Sequence, residues 1–157
     1  MRRTLIFCAI ALVFLPAGCS TPKYRGYKYG PYSVRGRYYE PMDPRAALGF
    51  TEEGVASHFN EHRLIFFSGR SALGERQWGW SRAAAHKTLP LPCRIRVTNL
   101  RNGKSTTVRV NDRGPFIGDR ILDVTPRVAK ELGFHAAGLA PVRIQVLSVG
   151  DGRYRIR

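Results

Sequence analysis

Hydrophobic and polar residues alternate over short stretches of this chain, and a period of two is typical of β-strands. The clearest alternation runs through residues 94–100 and 105–110, with the pair Asn102-Gly103 between them. One face of this pattern holds Ile95, Val97, Val108 and Val110, and the other holds Arg94, Arg96, Thr107 and Arg109. Because Asn-Gly supplies the positive φ angles of a tight turn, the two stretches are predicted to form a β-hairpin with the apolar face buried.

Other alternating or apolar stretches predict further strands at residues 54–59, 65–67, 121–124 and 141–149. In the last of these, Val142, Ile144 and Val146 are predicted to face inward.

One short helix is predicted between the last two strands. Thr125 suits the N-cap, Pro126 suits the first helical position, and Gly133 is placed to end the helix. The apolar stripe consists of Val128, Ala129 and Leu132. Many short strands with a single short helix indicate an all-β protein built as a small closed barrel.

The N-terminus has the pattern of an export signal. Arg2 and Arg3 precede an apolar run that is too short to span a membrane, and small residues follow up to Cys19. This arrangement resembles the lipobox of bacterial lipoproteins, although Pro16 stands where that motif prefers leucine. We therefore expect residues 1–18 to be removed and Cys19 to be acylated; the alternative is an ordinary cleavage site with an incidental cysteine. Ser20, rather than an aspartate, follows Cys19, and this resembles lipoproteins that are sent to the outer membrane. The protein is therefore expected at the outer membrane, facing the periplasm.

Residues 19–48 show no aliphatic periodicity and are predicted to form a flexible tether. They contain six of the seven tyrosines, interleaved with lysine, arginine, glycine and proline. The 29 residues after Cys19, residues 20–48, would span roughly 100 Å when fully extended. Its alternating aromatic and cationic residues suggest stacking on sugar rings, and the simpler interpretation is a disordered spacer.

The charge of the chain favours an anionic partner. Its net charge is +15, and loss of Arg2 and Arg3 with the signal leaves 24 basic and 11 acidic residues. Export argues against nucleic acid, so peptidoglycan and lipid head groups remain as the anionic polymers within reach. With Cys8 removed and Cys19 acylated, Cys93 has no partner, and no intrachain disulfide is expected.

The candidate chemistry lies at Asp112, His86 and Glu75. Asp112 ends the second hairpin strand, where a carboxylate projects into a groove while the barrel holds its backbone. The alternatives are an Asx turn from Asp112 to Gly114, a structural histidine, and a surface pair of Glu75 with Arg76. The four histidines show no metal-ligand spacing, and neither a serine triad motif nor a phosphate loop is present, so no metal or cofactor is expected.

Taken together, the runs of this chain resemble the rare lipoprotein A family. The match covers about residues 54 to 149. It rests on residues 54–57, 69–70, 74–75, 84–90 (Ala-Ala-His-Lys-Thr-Leu-Pro), 96–100, 102–103, 111–116 (Asn-Asp-Arg-Gly-Pro-Phe), 120–123 and 132–133.

The resemblance implies a six-stranded double-psi β-barrel with one or two short helices, here over residues 49–157. It also implies a lytic transglycosylase that cleaves the MurNAc-GlcNAc bond of peptidoglycan, prefers glycan strands without stem peptides and leaves 1,6-anhydro ends. Asp112 is then the acid, His86 an orienting residue and Glu75 a secondary electrostatic group. Their neighbours Asn111, Arg113 and Lys87 are predicted to contact the substrate.

Three departures from the family pattern bear on activity. They lie at residues 58–60, at residues 71–73 and at residues 91–93. The chain also stops at Arg157, so we expect neither the wall-binding SPOR domain that members of the family often carry nor targeting through it. The alternative function is a non-catalytic, expansin-like peptidoglycan-binding lipoprotein, and in both cases a monomer is expected.

Overall fold

The computed structural model describes residues 30–59 and 69–150. The described residues form eight strands and one helix. The strands are β1 (Tyr32–Val34), β2 (Arg37–Tyr39), β3 (Thr51–His58), β4 (Ala83–His86), β5 (Cys93–Asn99), β6 (Ser105–Asp112), β7 (Arg120–Val124) and β8 (Leu139–Val149), and the helix is α1 (Pro126–Leu132).

Six of these strands close into a barrel in the order β3-β7-β4-β6-β5-β8. β3 pairs with β7 and β4 pairs with β6 in parallel, and the other four pairings are antiparallel. Closure leaves the barrel without an exposed sheet edge. The predicted small closed barrel of six strands is confirmed.

The predicted hairpin is β5 and β6, in the register Ile95↔Val108 and Val97↔Thr106. The four predicted apolar residues are all buried, whereas Arg94, Arg96 and Thr107 are exposed. At the turn Gly103 has the expected positive φ of +72°, but Asn102 does not. Instead, the side-chain amides of Asn99 and Asn102 both donate to the carbonyl of Leu132, which ties the turn to the end of α1.

Helix α1 has the predicted bounds, and its predicted apolar stripe is buried. Gly133 adopts the left-handed conformation, with a φ of +74°, and its N–H closes the last turn. Thr125 occupies the N-cap but makes no side-chain capping bond, because its hydroxyl donates to the carbonyl of Ser81 at 2.5 Å. This contact joins the start of α1 to the segment before β4.

Residues 31–48 correct the tether prediction, because they pack on the barrel. β1 and β2 form a hairpin that pairs Tyr32 with Tyr39, whose rings stack at 5.2 Å and pack on Phe116. The Tyr32 hydroxyl donates to the Lys87 carbonyl at 2.7 Å, and burial raises the pKa of that hydroxyl. Farther along, Ala47 is fully buried in the core. The folded body therefore begins well before residue 49.

Several predictions lie outside the described residues. These are the signal at 1–18, the lipidated Cys19, the strand at 65–67 and Asn60 in the first departure. Helix α1, the one helix of the described ranges, is not long and apolar enough to cross a membrane. Cys93 is buried without a disulfide partner, and burial raises the pKa of its thiol to about 12.

Candidate functional site

Asp112 is the last residue of β6 and is partly exposed. Its Oδ1 accepts the backbone N–H groups of Ala72 at 2.7 Å and of Arg113 at 2.8 Å. Its Oδ2 accepts the side-chain amide of Gln77 at 2.8 Å. Among the described hydrogen bonds none runs from Gly114 to this carboxylate, so the alternative of an Asx turn to Gly114 is not what holds it. Three donors fix the orientation of the carboxyl group, and Oδ2 carries only one of them.

Two of these donors come from residues 70–77, which we call the Glu75 loop. The loop closes on itself through a bridge between Arg70 and Arg76 and through hydrogen bonds from Ser71 N–H to the Glu75 carbonyl and from Gly74 N–H to the Ser71 carbonyl. Both bonds are short, at 2.8 and 2.7 Å. The loop therefore presents Ala72 and Gln77 to Asp112 from a defined turn.

Glu75 pairs with Arg109 of β6. The two guanidinium nitrogens of Arg109 donate to the Glu75 carboxylate at 2.5 and 2.8 Å, and the Asn111 amide donates to it at 2.8 Å. The hydrogen bonds from Arg109, together with the bond from Asn111, lower the pKa of Glu75 despite partial burial. Glu75 is therefore ionised at neutral pH. It does not form the surface pair with Arg76 that the sequence left open; its pair with Arg109 joins the Glu75 loop to the barrel.

His86 is buried at the end of β4, and both of its ring nitrogens are engaged away from Asp112. Nδ1 accepts the N–H groups of Thr88 and Leu89, each at 3.1 Å, so Nε2 donates to Glu52 Oε2 at 3.0 Å. The register explains this arrangement: Ala85 is the partner of Asp112, and adjacent side chains of a strand point to opposite faces. The structure thus brings Asp112 and Glu75 to one loop and leaves His86 outside that hydrogen-bond network.

The three predicted substrate contacts all have partners within the protein. Lys87 Nζ donates to the Arg120 carbonyl at 2.7 Å. Arg113 donates to the Leu89 carbonyl at 2.5 Å, and its guanidinium lies 5.2 Å from the centre of the Tyr32 ring. Asn111 donates to Glu75, while its Oδ1 is buried without a hydrogen-bond partner. Their roles toward substrate stay predictions.

Sequence reasoning missed three residues of this region: Gln77, Arg109 and Glu52. Arg109 lies on the outward face of the hairpin, as predicted, but its partner Glu75 comes from a loop that is distant in the sequence. The direction of Glu52 could have been predicted from the sequence. It lies on the same face of β3 as Gly54 and Ala56, so its carboxylate is on the inward side of the strand. Gln77 lies in a loop, where no periodicity predicts direction.

We expect Glu52→Ala to destabilise the fold at pH 7 by about 1–3 kcal/mol, because the buried Nε2–H of His86 loses its acceptor. The hydrogen bond from His86 lowers the pKa of Glu52. A lowered folded-state pKa means that this contribution is present at neutral pH and is lost as the pH falls through the lowered value, below about 4.3. Urea unfolding at pH 7 and at acid pH measures both effects.

The matched control is Glu53→Ala, one residue away. Glu53 pairs with Arg143 at the surface, where both side chains are about half exposed, so its loss should cost less than about 1 kcal/mol. Equal losses for the two variants at pH 7 would contradict the role given to Glu52.

The arrangement around Asp112 suits acid–base chemistry at a single carboxyl group. The group is anchored by three donors and partly exposed, and its neighbour in β6, Asn111, binds the ionised Glu75. In the described part of the chain, no group of three or more His, Cys, Asp or Glu residues is placed to hold a metal ion.

Comparison with known proteins gives a consistent result. A model of the family described as lytic transglycolase matches residues 51–144. The endolytic peptidoglycan transglycosylase RlpA of Rickettsia felis is 36% identical over 93% of this chain and 73% of that protein. The protein of the same name from Vibrio cholerae is 44% identical over 82% of this chain and 48% of its own length. Among solved structures, the Streptomyces papain inhibitor aligns with a TM-score of 0.49 and 16% identity, over 64% of this chain and 96% of that one.

The extent of these matches differs between the two relatives. The chain spans nearly three quarters of the first relative but about half of the second. In both cases the matched region includes more than four fifths of the present chain, and the family match covers β3 through most of β8.

Proposed function

Because this chain belongs to the lytic transglycolase family, we propose that it cleaves the MurNAc-GlcNAc bonds of peptidoglycan and leaves 1,6-anhydro-MurNAc ends. Peptide-free glycan strands are the proposed substrate, and the 24 basic against 11 acidic residues that remain without the signal support attraction to an anionic wall. The observation that carries the proposal is the anchored, partly exposed carboxyl group of Asp112 within the matched region.

One carboxyl group suffices for this reaction. Asp112 transfers its proton to the glycosidic oxygen, and the bond from that oxygen to C1 of the muramic acid breaks. The C6 hydroxyl oxygen of the same sugar then bonds to C1, and the hydroxyl proton returns to the Asp112 carboxylate. No water is consumed, so the products are a 1,6-anhydro sugar and a new free hydroxyl on the GlcNAc.

Oδ2 is the oxygen that we assign to this proton transfer. Oδ1 accepts two backbone N–H groups, whereas Oδ2 accepts only the Gln77 amide and keeps a lone pair for the proton. Gln77 is thereby a positioning residue, because it holds Oδ2 without touching the sugar in this role.

Glu75 and His86 receive indirect roles in this proposal. Ionised Glu75 holds Arg109 and Asn111 and fixes the loop that supplies two donors to Asp112. His86 fixes the backbone after β4 through the N–H groups of Thr88 and Leu89. Both act on the site through the protein, since neither is hydrogen-bonded to Asp112 among the described residues.

The test is to incubate the full chain with peptide-free glycan strands and to search for anhydro-muramic ends by mass spectrometry. Such ends support the proposal. Sedimentation of the protein with sacculi, without any new ends, would instead support the expansin-like binding function.

We also propose that Cys19 carries a lipid that holds the protein at the outer membrane, facing the periplasm. The small residues before Cys19 and the apolar run after Arg3 support this proposal. We expect Cys19→Ser to move the protein from the membrane to the soluble fraction and to abolish labelling by radioactive palmitate. Cys93→Ser is the matched control, because Cys93 is buried in the barrel; membrane retention of Cys19→Ser would contradict the anchor.

A further inference from the structure

We propose that Trp80, Trp78 and Arg76 form a subsite beside Asp112 that binds a pyranose ring carrying a carboxylate. This inference rests on the proposed function for the identity of the glycan, and it assigns residues to a recognition step that the acid–base chemistry leaves open.

Trp80 presents an unusually large apolar surface to solvent. Its exposed fraction is 62%, and its ring stacks on that of Trp78 at 4.7 Å with an interplanar angle of 20°. The stack leaves most of the Trp80 ring in contact with water, and exposed apolar patches commonly mark binding sites. The flat apolar face of an indole matches the C–H face of a pyranose ring.

The segment that carries these rings is held rigidly. Both the N–H and the hydroxyl of Ser81 donate to the Trp78 carbonyl, and Arg127 donates to the carbonyls of Gly79 and Trp80 at 3.1 Å each. With the bond from Thr125 to Ser81, these contacts fix the segment to the start of α1. A preformed ring loses little freedom when it binds a ligand.

The two rings follow directly in sequence a residue that contacts the proposed acid. Gln77, which precedes Trp78, donates to Asp112 at 2.8 Å. Trp80 is three residues farther along, so its Cα lies within roughly 11 Å of that of Gln77. A glycan strand carries several sugar rings in a row, so a strand with its scissile bond at Asp112 is long enough to place a neighbouring ring on the indole.

Arg76 adds the preference for an anion. Its guanidinium lies 5.7 Å from the centre of the Trp78 ring, and among the described residues it has no carboxylate partner. Muramic acid without a stem peptide carries a free lactyl carboxylate, whereas an attached peptide converts this group to an amide. A cation at the indole platform thus favours the peptide-free sugar.

The chain itself provides the reporter, because Trp78 and Trp80 are its two tryptophans. We expect peptide-free glycan strands to change the tryptophan emission of the full-length Asp112→Asn protein, which avoids turnover. Trp80→Ala in that background should weaken binding about tenfold, and Trp80→Phe should restore most of it. Tyr38→Ala, which removes an equally exposed ring elsewhere, should leave binding unchanged.

Arg76→Gln should reduce the preference for peptide-free strands over a neutral chitin oligosaccharide and should weaken the salt dependence of binding. Arg101→Gln, an exposed arginine in the β5–β6 turn, should retain both. Circular dichroism melts check that each variant folds.

The outcomes separate the two proposals. The subsite is wrong, and the proposed function stands, if the parent protein releases anhydro ends but glycan leaves the tryptophan emission unchanged. The same conclusion follows if Trp80→Ala binds glycan as tightly as the Asp112→Asn background. The subsite is supported, and the proposed enzymatic function is wrong, if glycan changes the emission saturably, Trp80→Ala weakens this response and the parent protein produces no anhydro ends.

Discussion

Asp112→Asn is expected to release at least about 100-fold fewer anhydro-muramic ends than the parent protein, because an amide cannot deliver the proton that the glycosidic oxygen requires. The fold should persist. The oxygen of the substituted amide can keep the N–H groups of Ala72 and Arg113, and the Gln77 amide can rotate to accept from the new NH2 group. Mass spectrometry of digested strands and a thermal melt measure the two effects.

Asp119→Asn is the matched control for this prediction. Asp119 lies on the loop between β6 and β7, is exposed and undergoes the same change from carboxyl to amide on substitution. It should retain the activity of the parent. Activity of Asp112→Asn within tenfold of that of Asp119→Asn would remove Asp112 from the acid role.

Tyr39→Ala should lower the stability of the chain by about 2 kcal/mol, or roughly 5–10 °C in Tm. The substitution removes the ring that stacks on Tyr32 at 5.2 Å and packs on Phe116 at 5.4 Å. These contacts attach the β1–β2 hairpin to the loop that follows Asp112. A thermal melt of the full chain measures the loss.

Tyr38→Ala separates this packing effect from the general loss of a tyrosine. Tyr38 is 66% exposed and faces away from the stacked pair, so its removal should change the stability by less than about 0.5 kcal/mol. Equal melting temperatures for the two variants would show that the hairpin does not stabilise the barrel.

The barrel was predictable because its strands bury one face and expose the other. Ile95 and Val108, for example, alternate with charged residues, and the observed register pairs them across the hairpin. Helix α1 was predictable for a similar reason, since Pro126 and Gly133 mark its ends by local backbone chemistry. Both signals lie within a few residues of the structure that they predict.

The packed hairpin escaped prediction because aromatic residues that cover a surface produce no periodicity. Its turn is centred on Arg35 and Gly36, both at positive φ, where an arginine is an uncommon occupant. The stacked pair Tyr32 and Tyr39 also depends on Phe116, which lies far away in the sequence.

The candidate site was predictable only in part, and chiefly through the resemblance. The position of Asp112 at a strand end followed from alternation, but its partners did not. Ala72 and Gln77 come from a loop about 40 residues away in the chain, and Arg109 meets Glu75 across a similar separation. The resemblance implies an orienting role for His86. Because Ala85 is the strand partner of Asp112, the next side chain, His86, points to the opposite face and contacts Glu52.

Docking of the hairpin also limits how far an anchored form of this protein can act. The folded body starts by Tyr32, so a lipid on Cys19 would be joined to Gly30 by only eleven residue steps. Fully extended, the segment from Cys19 to Gly30 would measure about 40 Å. This is less than half of the roughly 100 Å that a fully extended segment from residue 20 to residue 48 would span. If the proposed anchor and activity hold, glycan far from the anchoring bilayer would then be out of range of Asp112.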